Sequence, residues 1–378
     1  MKIVHIITGG KGRGGAEGAL LRLIIGTSKT VEHIVYTLVD MPEYKDDFRE
    51  AGITIESLNI RSPKSFAVNL YKLRKKILDY HPDVIQSWMG HSNLIFGLIG
   101  QTWGIPVVWN IRQSRTFKEE LGLKNYTLTK ASAILSKRIP YKIINCSLNS
   151  IERHKEGGFY DKFVYIPNGV SINSNANHLI SSKIDKVFTV GHVGRYDPAK
   201  NHKLFIESFS RFNKRNSNSR ALMAGTGVSY QNESFHSQFS ELPHSSFELL
   251  GQIDSKTELS EVYKKMDCLV LSSITEGFPN VLIEAMSFGV PCISTDVGDA
   301  AEIIDDTGWI VPSEDQEALE KALEEAYREY MDFPEKWAAR RERAYKRVVE
   351  NYSIEKMCER YIDVWNDAIN QTTRKRSQ

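Results

Sequence analysis

Two carboxylates bracket a short turn in Glu276-Gly277-Phe278-Pro279-Asn280-Val281-Leu282-Ile283-Glu284-Ala285-Met286, which follows the apolar run Cys268–Ser272. That run reads as a strand, and open α/β sheets bind ligands at the carboxyl ends of their strands. Pro279 opens the next helix and Gly289-Val290-Pro291 closes it, in keeping with the preference for Pro at the start and Gly after the end. The first turn then offers backbone N–H groups of about Asn280–Leu282 to a phosphate or a sugar hydroxyl. Glu276 sits before that helix and Glu284 one turn inside it, so both reach one ligand without sharing a helical face. A first-turn acid favoured by the helix dipole is the plainer account of Glu284 alone. Two acids around a Gly-Phe-Pro loop at a strand end favour a binding role.

Two further strand ends carry basic or glycine-rich loops. Gly194-Arg195-Tyr196-Asp197-Pro198-Ala199-Lys200 follows the strand Val187–Val193. Arg195 supplies a planar fork and Lys200 a mobile point charge, and the pair can converge on a diphosphate or simply be two solvated cations. Gly9-Gly10-Lys11-Gly12-Arg13-Gly14-Gly15-Ala16-Glu17 lies between the first strand and the first helix. Its glycines allow close approach of an anion to a helix N-terminus, or make a tight turn. The spacing is neither a P-loop nor a clean G-x-G-x-x-G, which disfavours NAD. His91, in Gln86-Ser87-Trp88-Met89-Gly90-His91-Ser92-Asn93, also follows a strand; it is a helix-start hydrogen-bonding residue or a ligand contact.

The elements that must position these loops alternate along the whole chain. Strands are expected at Lys2–Thr8, His33–Leu38, Ile53–Leu58, Asp83–Trp88, Pro106–Asn110 and Lys142–Ser147. Helices are expected between them near Ala16–Ile25, Ser65–Tyr80, Asn93–Trp103 and Leu121–Leu135. A second series follows, with strands Val187–Val193, Arg220–Ala224, Phe247–Leu250, Cys268–Ser272 and Pro291–Ser294 and an almost wholly helical tail from Ser313. Alternation of this kind specifies parallel sheets wrapped by helices. The predicted fold class is α/β, with two Rossmann-like, doubly wound domains and a ligand cleft between them. The expected division is 1–170, 183–350, a C-terminal helix over 351–370 packing back on the first domain, and a tail over 371–378. The Ser/Asn-rich stretch Ser171–Ser182 marks the boundary.

Size and composition agree with two soluble domains. The 378 residues are 41% hydrophobic and 25% charged, which excludes disorder over most of the length. Four scattered cysteines without ligand spacing argue against a zinc site or a disulfide framework. From Val84 to Ile111 the chain carries no Asp, Glu, Lys or Arg, but Gln86, His91, Asn93, Gln101, Gly104 and Pro106 break it into strand, helix and strand. Net charge is +2 overall, yet residues 1–180 hold 24 basic against 15 acidic side chains. Such asymmetry suits an anionic surface, or two surfaces of opposite sign that attract each other. Arg61–Lys76 holds six cations and no acid among apolar residues; it reads as a basic amphipathic helix for anionic lipid, or as a packed helix with a wet basic side. No motif supports nucleic acid. No Asp-x-Asp, G-x-S-x-G or Cys/His signature is present.

Taken together, Gly14-Gly15-Ala16-Glu17, Gly194-Arg195…Lys200 and Glu276-x7-Glu284 with Glu284-Ala285-Met286-Ser287-Phe288-Gly289-Val290-Pro291 resemble the retaining GT-B glycosyltransferases of family 4 (glycosyl transferases group 1). Ile166-Pro167-Asn168-Gly169-Val170 matches the usual entry to the second domain, and the order Met89…His91…Asn93 resembles members that build bacterial surface polysaccharides. The resemblance implies that Arg195 and Lys200 hold the donor diphosphate, with Gly194 beside them. It also implies that Glu284 takes the ribose hydroxyls, that Glu276 and the amides of Gly277, Phe278, Pro279–Asn280, Val281 and Leu282 line the donor, and that Gly251 and Ile253 flank the base. Gly14 and Gly15 would approach the phosphates, and His91 the sugar near its reacting carbon. His91, Arg195, Lys200 and Glu276 are thus the catalytic set, with no protein nucleophile. Many relatives place a second histidine where this chain has Asn110-Ile111-Arg112.

The expected activity is metal-independent transfer from a nucleotide sugar, a UDP-sugar in preference to a GDP-sugar, with no cofactor and with retention. The acceptor would be a glycan or a polyprenyl-diphosphate-linked oligosaccharide, and the protein cytoplasmic, peripheral on the inner membrane face. A catalytically silent nucleotide-sugar-binding partner and a nucleotide-sugar 2-epimerase are the alternatives; the epimerases lack the Glu-x7-Glu block.

Overall fold

A computed structural model describes residues 1–10, 14–59, 63–172, 187–239 and 244–376. The expected Ser171–Ser182 boundary lies outside the described residues from 173 onward, as do residues 11–13 of the glycine-rich loop and Arg61. Contacts divide the chain into Met1–Gly169 with Ile354–Gln378, and Val170–Ser353.

The first unit is a parallel sheet in the order β3-β2-β1-β4-β5-β6-β7. Its strands are β1 (Lys2–Ile7), β2 (Glu32–Thr37), β3 (Ile55–Ser57), β4 (Val84–Trp88), β5 (Val107–Ile111), β6 (Ile143–Asn145) and β7 (Phe163–Tyr165). Residues β1, β4 and β5 are buried on both faces, as parallel strands between helix layers must be. One face packs on helices Gly15–Thr27 and Ile354–Arg376, through Leu20, Ile24, Tyr361 and Trp365. The other packs on helices Pro63–Tyr80, Gly90–Thr102 and Lys118–Ser136, through Ile77, Phe96 and Ala133. The uncharged stretch Val84–Ile111 is therefore β4, a helix and β5. No described helix is long and apolar enough to cross a membrane.

Polar groups inside this unit are joined in one directed chain. The Trp88 indole can only donate, and its Nε1–H meets His5 Nδ1 at 3.2 Å. His5 Nε2 must then carry the proton and donate to His33 Nδ1 at 3.0 Å. His33 Nε2 donates to Thr27 Oγ1 at 2.8 Å, and the Thr27 hydroxyl donates to the Leu23 carbonyl at 2.7 Å. Trp365 closes the core by donating to Gln86 Oε1 at 3.0 Å.

The second unit repeats the plan as β10-β9-β8-β11-β12-β13, again parallel. Its strands are β8 (Phe188–Val193), β9 (Ser219–Ala224), β10 (Phe247–Gly251), β11 (Cys268–Leu271), β12 (Cys292–Thr295) and β13 (Trp309–Val311). In both sheets the strand order reverses beside the first strand, between β1 and β4 and between β8 and β11. Those reversals are the topological switch points at which doubly wound sheets open a crevice.

Candidate functional site

The switch point of the second unit lies between the loops after β8 and β11, which are the two loops singled out by their chemistry. They are fastened together. The Ser272 hydroxyl reaches the carbonyls of Lys200 and Asn201, each at 3.0 Å, and the Ile274 amide donates to the Ala199 carbonyl at 2.8 Å. Lys200 rides a short 3-10 turn, Pro198–Lys200, capped by the Asp197 carboxylate. Asn201 then takes a left-handed conformation (φ 46°) and caps helix His202–Arg215. Asn tolerates that backbone better than other non-glycine residues.

The result brings Lys200 and Glu276 together. Lys200 Nζ lies 2.5 Å from Glu276 Oε1, with the two side chains 24% and 14% exposed. Ser273 Oγ donates to the same oxygen at 2.8 Å. Arg195 goes elsewhere: its guanidinium is 73% exposed and pairs with Asp197 at 3.2 Å. The Ala199 N–H, working against the cost of burial, and then the Arg195 charge hold the Asp197 carboxyl below its usual range. Arg195 and Lys200, expected to converge on one diphosphate, each begin with a carboxylate partner of their own.

Glu284 lies on helix Asn280–Met286, half-buried, and its Oε2 accepts from the Tyr263 hydroxyl at 2.8 Å. Pro279 is the N-cap and gives no side-chain cap. One of the three amides expected at this helix start is already used, because Leu282 N–H donates to the Pro279 carbonyl at 3.1 Å. Glycines set how closely the loops approach. A Cβ on Gly225 would stand 1.9 Å from the Gly194 carbonyl oxygen, and one on Gly298 (φ 56°) 2.3 Å from that of Gly277. Gly298 and Asp299 were not among the expected site residues, although Asp299 N–H donates to the Gly277 carbonyl at 3.1 Å. Gly251 ends β10 with φ 67°, and its carbonyl accepts from Gly225 N–H at 2.7 Å. Ile253, just beyond, packs partly buried on the core that holds Phe278, Val281 and Leu282.

Beneath the Gly194 loop lie two buried histidines, with ring centroids 4.6 Å apart. Ser272 spends its proton on a carbonyl, so His192 Nε2 is the donor in their 3.1 Å contact. His202 Nε2 faces the Gly194 carbonyl at 3.4 Å, also as donor. Both Nδ1 atoms are then bare acceptors, and among the described residues neither has a partner. Burial pushes His202 down to about 4 and His192 well below its ordinary value.

In the first unit, Gly14 caps helix Gly15–Thr27 without a side chain, and its carbonyl accepts from the Tyr44 hydroxyl at 2.9 Å. Among the described residues a Cβ on Gly15 would meet nothing within 4 Å. His91 is exposed in the first turn of helix Gly90–Thr102. It follows Met89, whose φ of 72° is an uncommon conformation for a side-chain-bearing residue. Asn110 and Arg112 are tied inward: Asn110 Nδ2 and Arg112 both donate to the Tyr361 hydroxyl. Arg112 also stacks over Trp88 at 5.2 Å. Among the described residues no three His, Cys, Asp or Glu side chains gather as a metal site.

Two parallel α/β units, each with a switch point beside its first strand, define the doubly wound class. Residues 174–347, within the second unit, match the family described as glycosyl transferases group 1. A putative glycosyltransferase, EpsF, of Bacillus subtilis (strain 168) is 22% identical over 315 residues, covering 78% of this chain and 79% of that protein. An Escherichia coli UDP-Gal:alpha-D-GlcNAc-diphosphoundecaprenol alpha-1,3-galactosyltransferase is 24% identical and covers 63% of each chain. Among solved structures, Anabaena HepE in complex with UDP superposes with a TM-score of 0.79 over 97% of this chain and all of the other, at 17% identity. That likeness establishes the shared fold, the GT-B class.

Proposed function

We propose that this chain transfers a sugar from a nucleoside-diphosphate sugar, with retention and without a metal, to a lipid-linked glycan in surface-polysaccharide assembly. The observation that carries the reading is the Lys200–Glu276 pair at the switch point of the second sheet. Breaking a glycosyl–phosphate bond builds negative charge on the leaving diphosphate, and a fixed cation aimed at it lowers the barrier. Lys200 supplies that charge once a diphosphate displaces Glu276, and Arg195 adds a second fork from the exposed rim. Glu276, released, accepts a sugar hydroxyl, while Glu284 accepts from the ribose. Gly14, Gly15 and His91 are donor contacts in the same reading. The leaving phosphate oxygen takes the acceptor's proton, so no side chain need act as nucleophile.

The names of the relatives support the donor and acceptor classes: one is a UDP-galactose:diphosphoundecaprenol-linked transferase, and another solved structure holds UDP. A membrane surface fits helix Pro63–Tyr80, where Val68, Tyr71, Lys72, Arg74 and Lys75 are exposed. Leu73 and Ile77 are spent on the core, and Lys76 pairs with Glu56. Lys64 and Phe66 lie in the part of that helix whose side chains are outside the described residues.

The deciding test is turnover of UDP-, GDP- and ADP-sugars on a polyprenyl-diphosphate glycan, with the product anomer read by NMR and EDTA present in one arm. Retained configuration, unaffected by EDTA, is expected. Stabilisation by a nucleoside diphosphate without any turnover would replace the reading with that of a silent binding partner. For the membrane, reversing Lys72, Arg74 and Lys75 is expected to release the protein from anionic vesicles, at about 1 kcal/mol per cation; unchanged sedimentation would reject that surface.

A further inference from the structure

Tyr263 lies in the last turn of helix Lys256–Lys264, 2% exposed, with its ring stacked on Phe288 at 5.9 Å and 16°. A phenylalanine would fill the same space. Among the described residues the hydroxyl has one partner, Glu284 Oε2 at 2.8 Å, and a buried tyrosine hydroxyl needs one. The other oxygen, Oε1, accepts no hydrogen bond from any described residue. Glu284 is thus anchored at one oxygen and open at the other. A glutamate has three rotatable side-chain bonds, and ordering it at the moment of binding subtracts from affinity. A charge-assisted bond to a rigid, buried ring removes that freedom in advance.

We propose that Tyr263 is a positioning residue for nucleotide recognition: it holds the Glu284 carboxylate in the orientation that accepts ribose hydroxyls, and so sets the preference for ribonucleotides over nucleotides lacking those hydroxyls. This rests on the reading above that Glu284 meets the ribose. Burial and the neighbouring carboxylate raise the Tyr263 phenol well above its ordinary value, so the hydroxyl keeps the proton it donates.

The test uses the full chain and whichever of UDP, GDP and ADP stabilises it, together with the 2′,3′-dideoxy form of that nucleotide. The ratio of the two dissociation constants is measured by calorimetry for wild type, Tyr263→Phe and Glu284→Ala. Wild type is expected to favour the ribonucleotide by about tenfold or more. Glu284→Ala should abolish the preference, and Tyr263→Phe should shrink it roughly three- to tenfold. General loosening of the fold would weaken both nucleotides and leave the ratio alone. If Tyr263→Phe does not fold, 4-aminophenylalanine at 263, a weaker donor of the same shape, should give an intermediate ratio. A ratio that falls in Glu284→Ala but stays within about twofold of wild type at the altered position 263 overturns the Tyr263 role and leaves the donor site standing. A ratio unmoved by Glu284→Ala, or no nucleotide bound at all, overturns the ribose contact and this inference with it.

Discussion

Each unit has a switch point, and the side chains meeting across the two differ in kind. In the first unit the contact is neutral, Thr8 Oγ1 to Ser92 Oγ at 3.1 Å, beside the chain Trp88–His5–His33–Thr27–Leu23 in which each proton has one destination. In the second it is an ion pair, Lys200 with Glu276, above two histidines whose Nδ1 atoms find no acceptor or donor among the described residues. Committed polar groups hold a fold and are unavailable to a ligand; half-committed ones cost stability and can be recruited. The same topology therefore carries a neutral contact at one switch point and an ion pair at the other.

Disturbing the two units should have opposite readouts. The largest effect is expected from Trp365→Ala, which removes a fully buried ring and its bond to Gln86. It should lower unfolding free energy by about 3–5 kcal/mol, measured in urea. Lys200→Ala should leave that curve nearly unmoved and instead lower kcat by about 10²–10³, or about 2.7–4 kcal/mol; a large stability loss with intact turnover would erase the contrast.

Acid should act on both units. His33, His154 and His202 sit near 4 through burial, against about 6.5 in an unfolded chain. The unfolded state binds the protons first, so stability is fully present above about 6.5 and is lost as pH falls towards 4. The slope reaches about 1.4 kcal/mol per pH unit for each buried histidine, and thermal melts at pH 7, 6 and 5 check it. The smallest effect belongs to Arg195→Ala: exposed and already paired, it should cost about tenfold in donor affinity, far less than Lys200→Ala in turnover. Equal losses would mean that both cations grip the diphosphate alike.

Periodicity exposed most of the fold, because long buried parallel strands and capped helices carry strong local signals. Phe163–Tyr165 and Trp309–Val311 escaped as edge strands of three residues each, too short to show a pattern. The short helices Lys45–Glu50 and Ala300–Ile304 were missed for the same reason. At the site, residue types singled out two loops that the fold places on either side of the second sheet's switch point. Pairing was not legible. Lys200 meets Glu276 across 76 positions of sequence, and nothing local sends Arg195 to Asp197 in preference to a ligand. Tyr263, between Glu261 and Lys264 on an amphipathic helix, reads as core; only packing reveals that its hydroxyl ends on Glu284.

The return of helix Ile354–Arg376 to the first sheet has a consequence for synthesis. Met357, Cys358, Tyr361 and Trp365 complete a core begun by Ile3, Leu20 and Val84, so the first unit to leave the ribosome is the last to be finished. The second unit, continuous from Val170 to Ser353, is free to close while the first waits with an uncovered groove. A chain cut after Ser353 and supplied with the 354–376 peptide in trans should rebuild that core, making the enzyme a natural candidate for fragment complementation.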